Sequence, residues 1–403
     1  MKDNIFVGMS GGFGPLAQIL PITKILKERG YNLWLNIHRN ARDMVEREGY
    51  NLIDFPIREL PKSVMPACRE WWNLGFFFCK YGYSDAEYVK RLVEDYMEVY
   101  KKRQISLVIA VLDPICYIAA QVLGLPIISV TQSCFCPNCE YGQLNWWDDM
   151  PKDLPNAVEG INKALDYYGL NRITRIEELS YGDMTIIPSF PEFDPLREYE
   201  DVIYTGIMCW QGVSREGKFE FLKEGVKNIF VYTGHFFDSG GKSGLLILEK
   251  VIEAFKDKQS IMVYVTTGLG QDLPEGVEVP ENIKIYEWLP VNDILDKFDL
   301  VLHHGGQGIS LQAIASQVVS VIVPTFDERE YNARQVERLG VGKFIELEDL
   351  SGEYLYKVCM SVMSDENMKL KLVNLNEYIE AQHFIGQEGV AEKIIEFISK
   401  KGE

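Results

Sequence analysis

Residues 302–310 read LHHGGQGIS. His303 and His304, two of the chain's five histidines, close the apolar run Leu300-Val301-Leu302. Three glycines, Gly305, Gly306 and Gly308, follow within four positions. Ile309, Ala313 and Ile314 then recur at helical spacing. A strand, a glycine turn and a helix in that order suit an anion. The unpaired N–H groups and the dipole at a helix start attract negative charge. Glycine lets backbone approach a phosphate closely, and an imidazole N–H donates to a phosphate oxygen. The plain alternative is a tight turn around a buried histidine.

Two other groupings can do chemistry. Cys134, Cys136 and Cys139 form C-x-C-x-x-C, but no fourth ligand is evident and the spacing is not that of a zinc knuckle. A thiol-rich loop is expected there, and no metal. Aromatic residues crowd REWWNLGFFFCKYGY at 69–83 and CFCPNCEYGQLNWWDD at 134–149. They read either as local packing under long loops or as the wall of an apolar ligand cleft, with Trp71, Trp72, Phe77, Trp146 and Trp147 as its candidates.

The elements that must position these residues alternate. Ile5-Phe6-Val7 is a short strand, followed by glycines at 8, 11, 12 and 14 and by Leu16, Ile19, Ile22 and Leu26 at helical spacing. Leu33–Ile37 and Leu107–Leu112 are further strands, the second unbroken apolar and so buried on both faces. The second half repeats the pattern: a strand at 228–232, a glycine-rich loop, a helix at 245–256, and strands at 261–266, 283–286, 299–303 and 318–323. Strands alternating with helices imply βαβ units in a parallel sheet. Two doubly wound domains are expected: 1–206, then a linker at 207–225 mixing glycine, charge and isolated aromatics, then 226–380. A last helix within 381–403 is expected to pack back on the first domain.

Length and charge agree with this. At 403 residues, two domains are the default. A net charge of −18 repels nucleic acid and anionic membranes, so an anionic ligand needs local donors. No run of about 18 apolar residues suggests a membrane span. The start MKDNIFVGMS lacks the features of a signal peptide, and eight cysteines without one suggest reduced thiols in a cytoplasm.

The 302–310 turn has companions in a fixed order. Trp288-Leu289-Pro290 precedes it; Asp327-Glu328, Asn332-Ala333 and Gly340-Val341-Gly342 follow. This set resembles the nucleotide-sugar site of GT-B glycosyltransferases, in the large family of UDP-glycosyltransferases and antibiotic, macrolide-type glycosyltransferases. Their pattern is W-x-P-Q, then H-G-G-x-G-[ST]-x-x-E-A, then P-x-x-x-D-Q-x-x-N-A, then G-x-G. The likeness is densest over 226–342. It implies two Rossmann-like domains facing across a cleft. It implies a transferase that moves a sugar, with inversion, from a UDP- or dTDP-sugar to a small, partly apolar acceptor such as a natural product. The donor is then a substrate, and neither cofactor nor metal is implied.

By that resemblance Trp288, with Leu289 beside it, stacks on the base. His304, with Gly305 after it, and the backbone of Gly306, Gln307, Gly308, Ile309 and Ser310 hold the diphosphate, and Asp327 and Glu328 face the sugar. Departures are visible. Ile309 stands at the small-hydroxyl position, Gln312 at that of the ribose-binding glutamate, and His235, after Gly234, at that of a loop serine. In the first domain, Gly12 and Phe13 lie in the opening loop on the acceptor side. The usual catalytic histidine falls on Pro15, which has no proton to exchange. Its usual aspartate partner is present as Asp113, which also reads as a helix N-cap because Asp-Pro opens a helix well. Asp113 is the expected catalytic residue, with His38 as the next candidate base. Three alternatives stay open: an acceptor acidic enough to need no strong base, a partner protein that completes the site, and a non-catalytic sugar-nucleotide-binding or partner protein with an eroded site; a sugar-nucleotide epimerase of similar two-domain architecture is disfavoured by the ordered motif set. A monomer or a homodimer fits the sequence equally.

Overall fold

The computed structural model describes residues 3–9, 13–37, 42, 45–62, 73–142, 153–198, 201–208, 222–236, 242–267 and 271–401. The chain divides into two compact units. The first holds strands β1 (Asn4–Met9), β2 (Asn32–Leu35), β3 (Asn51–Leu52), β4 (Ile105–Val111), β5 (Ile127–Val130), β6 (Met184–Ile187) and β7 (Val202–Tyr204) in one parallel sheet of order β3-β2-β1-β4-β5-β6-β7. The second holds β8 (Lys227–Tyr232), β9 (Ile261–Thr266), β10 (Ile283–Tyr286), β11 (Leu300–His303), β12 (Ser320–Ile322) and β13 (Gly342–Phe344), also parallel, ordered β10-β9-β8-β11-β12-β13.

Both orders reverse direction once, between β1 and β4 and between β8 and β11. At such a reversal the loops leave the sheet on opposite faces, and a crevice opens beyond the carboxyl ends of the strands. The central strands are apolar without alternation because helices cover both faces: every residue of β9 and β11 is buried. The strand at 318–323 shortens to Ser320–Ile322, and the helix at 245–256 runs Ser243–Phe255.

In the first unit a cluster around Phe6, Phe78, Tyr96 and Tyr100 fills one face of the sheet. The helix Ala86–Arg103 lies there, started by Asp85, whose Oδ1 accepts the Tyr88 N–H at 2.9 Å. The C-terminal helix Gly386–Lys401 belongs to this unit. It packs on the helix Phe13–Glu28 and adds an exposed Arg29–Glu392 ion pair of 2.6 Å. Gly206, at φ +77°, lies so close to Phe384 that a Cβ would stand 2.7 Å from that side chain, and Gly386 N–H donates to the Thr205 carbonyl. Among the described residues, no helix is long and apolar enough to cross a membrane.

Candidate functional site

β11 pairs with β8 on one side and β12 on the other, setting His303 opposite Tyr232 and Ile322. The chain therefore leaves β11 at the reversal point of the second sheet. Gly305 takes φ +94°, and a Cβ on it would stand 2.6 Å from the Arg329 carbonyl oxygen, so only glycine fits. Gly306 then starts the helix Gln307–Ala315 without any side-chain cap. A Cβ on Gly308 would meet nothing within 4 Å. The first-turn N–H groups thus have no side-chain cap, the kind of helix start that binds anions.

Both histidines are neutral, for the same reason. His303 is 0% exposed, and burial lowers its pKa to about 3. Its Nδ1 accepts the Gly305 N–H at 3.1 Å, which braces the turn from beneath. His304 is 7% exposed. Burial, and then the positive charge of Arg329, hold its pKa well below the ordinary value. Its ring meets Tyr232 edge-on at 5.0 Å and packs against Gly234, where a Cβ would lie 3.2 Å away. His304 Nδ1 is buried without a hydrogen-bond partner among the described residues. Its Nε2 lies toward Gly306, where a Cβ would stand 3.0 Å from it. His304 can donate a hydrogen bond to an anion but brings no charge to it.

The neighbouring candidates divide. Leu289 and Ile309 are buried together in one apolar cluster, which leaves Ile309 a packing residue. Trp288, beside Leu289, is half-buried. The Ser310 hydroxyl donates to the Gly306 carbonyl at 2.9 Å, so its proton is engaged inside its own helix. Gln312 donates its amide to Asn292 Oδ1, so its own oxygen serves as an acceptor. Gln307 is buried at the first helical position. His235, half-buried, contacts Gln271.

Asp327 is buried at the start of the helix Asp327–Leu339, with Oδ1 accepting the Glu328 N–H at 2.7 Å. Asn332 donates to both Gly305 O at 2.9 Å and Glu328 Oε1 at 2.6 Å, tying this helix to the glycine turn. Counted from Pro324 or back from Asn332, the D-Q pair of P-x-x-x-D-Q-x-x-N-A falls on Glu328 and Arg329, one place later than Asp327 and Glu328. Arg329 went unnoticed in the sequence, and that count was the signal for it. Its guanidinium lies 3.9 Å over the Phe326 ring and donates to Thr325 Oγ1, a fixed positive charge near His304.

In the first unit Asp113 caps the helix Pro114–Val122: Oδ1 accepts the Cys116 N–H at 3.0 Å. Oδ2 accepts the Tyr96 hydroxyl at 2.8 Å, and Asn36 Nδ2 donates to the same hydroxyl at 2.9 Å. Leu112, just before, sits at φ +50°, a costly conformation for a branched side chain, and turns the chain at the end of β4. Gly8 faces the group from β1; a Cβ there would come within 2.5 Å of Cys116 Sγ and 3.1 Å of Asp113 Oδ2. Burial first, then the Asp113 charge, raise the Tyr96 pKa well above its ordinary value, so the phenol stays protonated. Tyr96 and Asn36 had no sequence signal, because they lie far from Asp113 along the chain.

Pro15 occupies the first turn of the helix Phe13–Glu28, where its missing N–H costs no helical bond. Phe77 is a correction to the cleft reading. It is buried in the core cluster, with ring contacts to Phe78 at 5.0 Å and Tyr81 at 4.9 Å. Gly12, His38, Trp71, Trp72, Trp146 and Trp147, and the side chain of Phe13, lie outside the described residues. Cys134, Cys136 and Cys139 are buried and not in disulfides; the thiols of Cys134 and Cys136 each approach Gln132 oxygens at 3.4 Å.

Residues 256–396 match the family described as erythromycin biosynthesis protein CIII-like, C-terminal domain. The NDP-glycosyltransferase YjiC of Bacillus licheniformis is 31% identical over 153 residues, which cover 38% of this chain and 37% of that protein. The chain spans 37% to 54% of the lengths of the first curated relatives it matches. The crystal structure of the glycotransferase of kitacinnamycin superposes with a TM-score of 0.76 at 17% identity, over 98% of this chain and 99% of that one. Glycosyltransferase VinC in complex with dTDP gives 0.66 at 14% identity, over 98% and 100%. The C-terminal part of this chain thus carries the erythromycin biosynthesis protein CIII-like signature, and the chain as a whole has the two-unit GT-B fold of antibiotic glycosyltransferases.

Proposed function

We propose that this protein is an inverting glycosyltransferase that takes a nucleoside diphosphate sugar as donor and a small, partly apolar molecule as acceptor. The observation that carries the reading is the uncapped start of the helix Gln307–Ala315 beside the neutral His304 ring, whose Nε2 faces Gly306 so closely that a Cβ there would stand 3.0 Å from it. The relatives' names, and the dTDP bound by VinC, support a nucleotide-sugar donor.

The diphosphate lies on the helix N–H groups, with His304 as a neutral donor and Arg329 supplying positive charge. Trp288 takes the base and Gln312 the ribose. The acceptor oxygen attacks the anomeric carbon, and its proton passes to Asp113. The bond to the diphosphate breaks, and the electron pair leaves with it. Fixed dipoles stabilise the developing charge without rearranging. Asp113 accepts from the Cys116 N–H and the Tyr96 hydroxyl, which hold its carboxylate in place at the end of β4. Incubation with UDP-glucose and with dTDP-glucose, followed by assay for slow release of the nucleoside diphosphate, tests the reading. Binding of both without release, even with a panel of phenolic and alcoholic acceptors, would leave a binding protein instead.

A further inference from the structure

Three polar side chains from separate elements meet beyond the carboxyl ends of the first sheet. Asn36 directly follows β2, and its backbone N–H donates to the Val7 carbonyl at 3.1 Å, so it is held as an extension of that strand. Asp113 stands two places after β4, on the other side of β1. Tyr96 joins them. Its hydroxyl donates to Asp113 Oδ2 at 2.8 Å and accepts from Asn36 Nδ2 at 2.9 Å. Its ring is held on several sides: Phe55 stacks on it at 4.1 Å, and Phe6 and Tyr100 meet it edge-on at 5.7 Å and 6.1 Å. This chain orients the Asn36 amide. A phenol has one hydrogen, and Tyr96 gives it to the carboxylate, so toward Asn36 it can only accept. The atom of Asn36 that faces it is therefore the NH2, and the amide oxygen points elsewhere. Asn36 is half-buried, and its Oδ1 accepts no hydrogen bond among the described residues.

We propose that Asn36 determines acceptor specificity: its Oδ1, aimed by Tyr96, accepts a hydrogen bond from a second hydroxyl or N–H of the acceptor, next to the hydroxyl that reacts. This rests on the transferase reading above, in which the reacting hydroxyl lies at Asp113. Asn36 and Asp113 touch the same Tyr96 oxygen, so the two acceptor groups that they hold are neighbours on one molecule. The acceptor class is therefore a catechol or a vicinal diol rather than a compound with one isolated hydroxyl. A neutral amide suits this place. It offers an acceptor oxygen without setting a second negative charge beside the carboxylate, and its N–H is the donor that Tyr96 needs once its own hydrogen is engaged. A site built around such an oxygen disfavours a ligand that lacks the matching donor, because the oxygen then loses its partner.

The test uses the full chain with UDP present and two probes of nearly equal shape, naphthalene-2,3-diol and its monomethyl ether, which lacks the second donor. Calorimetry should show the wild type binding the diol about tenfold more tightly, the scale of one hydrogen bond. In Asn36→Ala the diol should weaken to the level of the ether, while the ether changes by less than about twofold. Tyr96→Phe, which keeps Asn36 but frees its amide to turn, should also lower the ratio of the two affinities. A purely structural role for either residue would weaken both probes alike and leave the ratio unmoved. Equal binding of the two probes by the wild type, binding of neither, or a parallel loss of both in Asn36→Ala overturns the proposal. Incubation of the same proteins with UDP-glucose and with dTDP-glucose tests the transferase reading separately. A diol preference that depends on Asn36, with no glycoside formed from either probe, overturns that reading and leaves Asn36 a ligand-binding residue.

Discussion

Tyr96, on the helix Ala86–Arg103, gives its phenolic hydrogen across 2.8 Å to Asp113 in the turn after β4. The carboxylate is 4% exposed and caps a helix with its other oxygen. Structural and chemical roles therefore share one group, and two substitutions separate them. Asp113→Asn keeps an oxygen for the Cys116 N–H, so the cap should survive. Transfer to an alcohol should fall by about 10²–10⁴-fold, the scale of a lost general base, and transfer to a phenol much less. Tyr96→Phe should cost about 1–3 kcal/mol in urea unfolding by leaving Oδ2 short of a donor. If Asp113→Asn transfers to alcohols at the wild-type rate, the base lies elsewhere.

His304→Ala should weaken UDP binding by about 1–3 kcal/mol, as loss of a hydrogen bond to a charged oxygen does. Calorimetry reads this directly. Equal affinity in the variant would remove His304 from the anion site.

Ribose recognition should be relaxed. Gln312 gives an amide hydrogen to Asn292 and offers a ribose one acceptor oxygen, where a carboxylate offers two. UDP and dTDP should bind within about tenfold of each other, roughly 1.4 kcal/mol. A hundredfold preference for UDP that vanishes in Gln312→Ala would contradict this.

Glu328, coupled to Asn332, should serve the sugar, whereas the buried Asp327 should serve the helix start. Glu328→Gln should lower affinity for a UDP-sugar and leave that for UDP alone nearly unchanged. Asp327→Asn should instead shift the urea midpoint. The reverse assignment of effects would restore Asp327 to the sugar side.

Folding should weaken in mild acid through His303. Its pKa is near 6.5 when unfolded and about 3 when folded, so the folded state resists protonation. The stabilisation is complete above about pH 6.5 and declines toward pH 3 by about 1.4 kcal/mol per unit. His303→Asn, whose side-chain oxygen can accept the Gly305 N–H, should be less sensitive by about 2 kcal/mol at pH 5. Urea unfolding at pH 7 and pH 5 compares them; identical pH dependence would show that His303 titrates normally.

The residue order alone carried the parallel sheets, the glycine turn at 305–308 and the ordered motif set, because strand burial, helical period and turn chemistry are local properties. It also carried the N-cap at Asp113, since Asp-Pro is a local signal. Packing decided the rest. Tyr96 and Asn36 reach Asp113, Gln271 reaches His235, and Asn292 reaches Gln312 only after separate elements have docked. Spacing along a chain encodes which face of an element is apolar, but not which polar atoms meet across two elements. The competition for hydrogen bonds was equally hidden. The type of Ser310 does not say that its proton goes to the Gly306 carbonyl, and the type of Phe77 does not choose between local packing and a cleft wall, which its burial in the core does. A side chain's type states what it can donate or accept; only its neighbours in three dimensions determine what it does with that capacity.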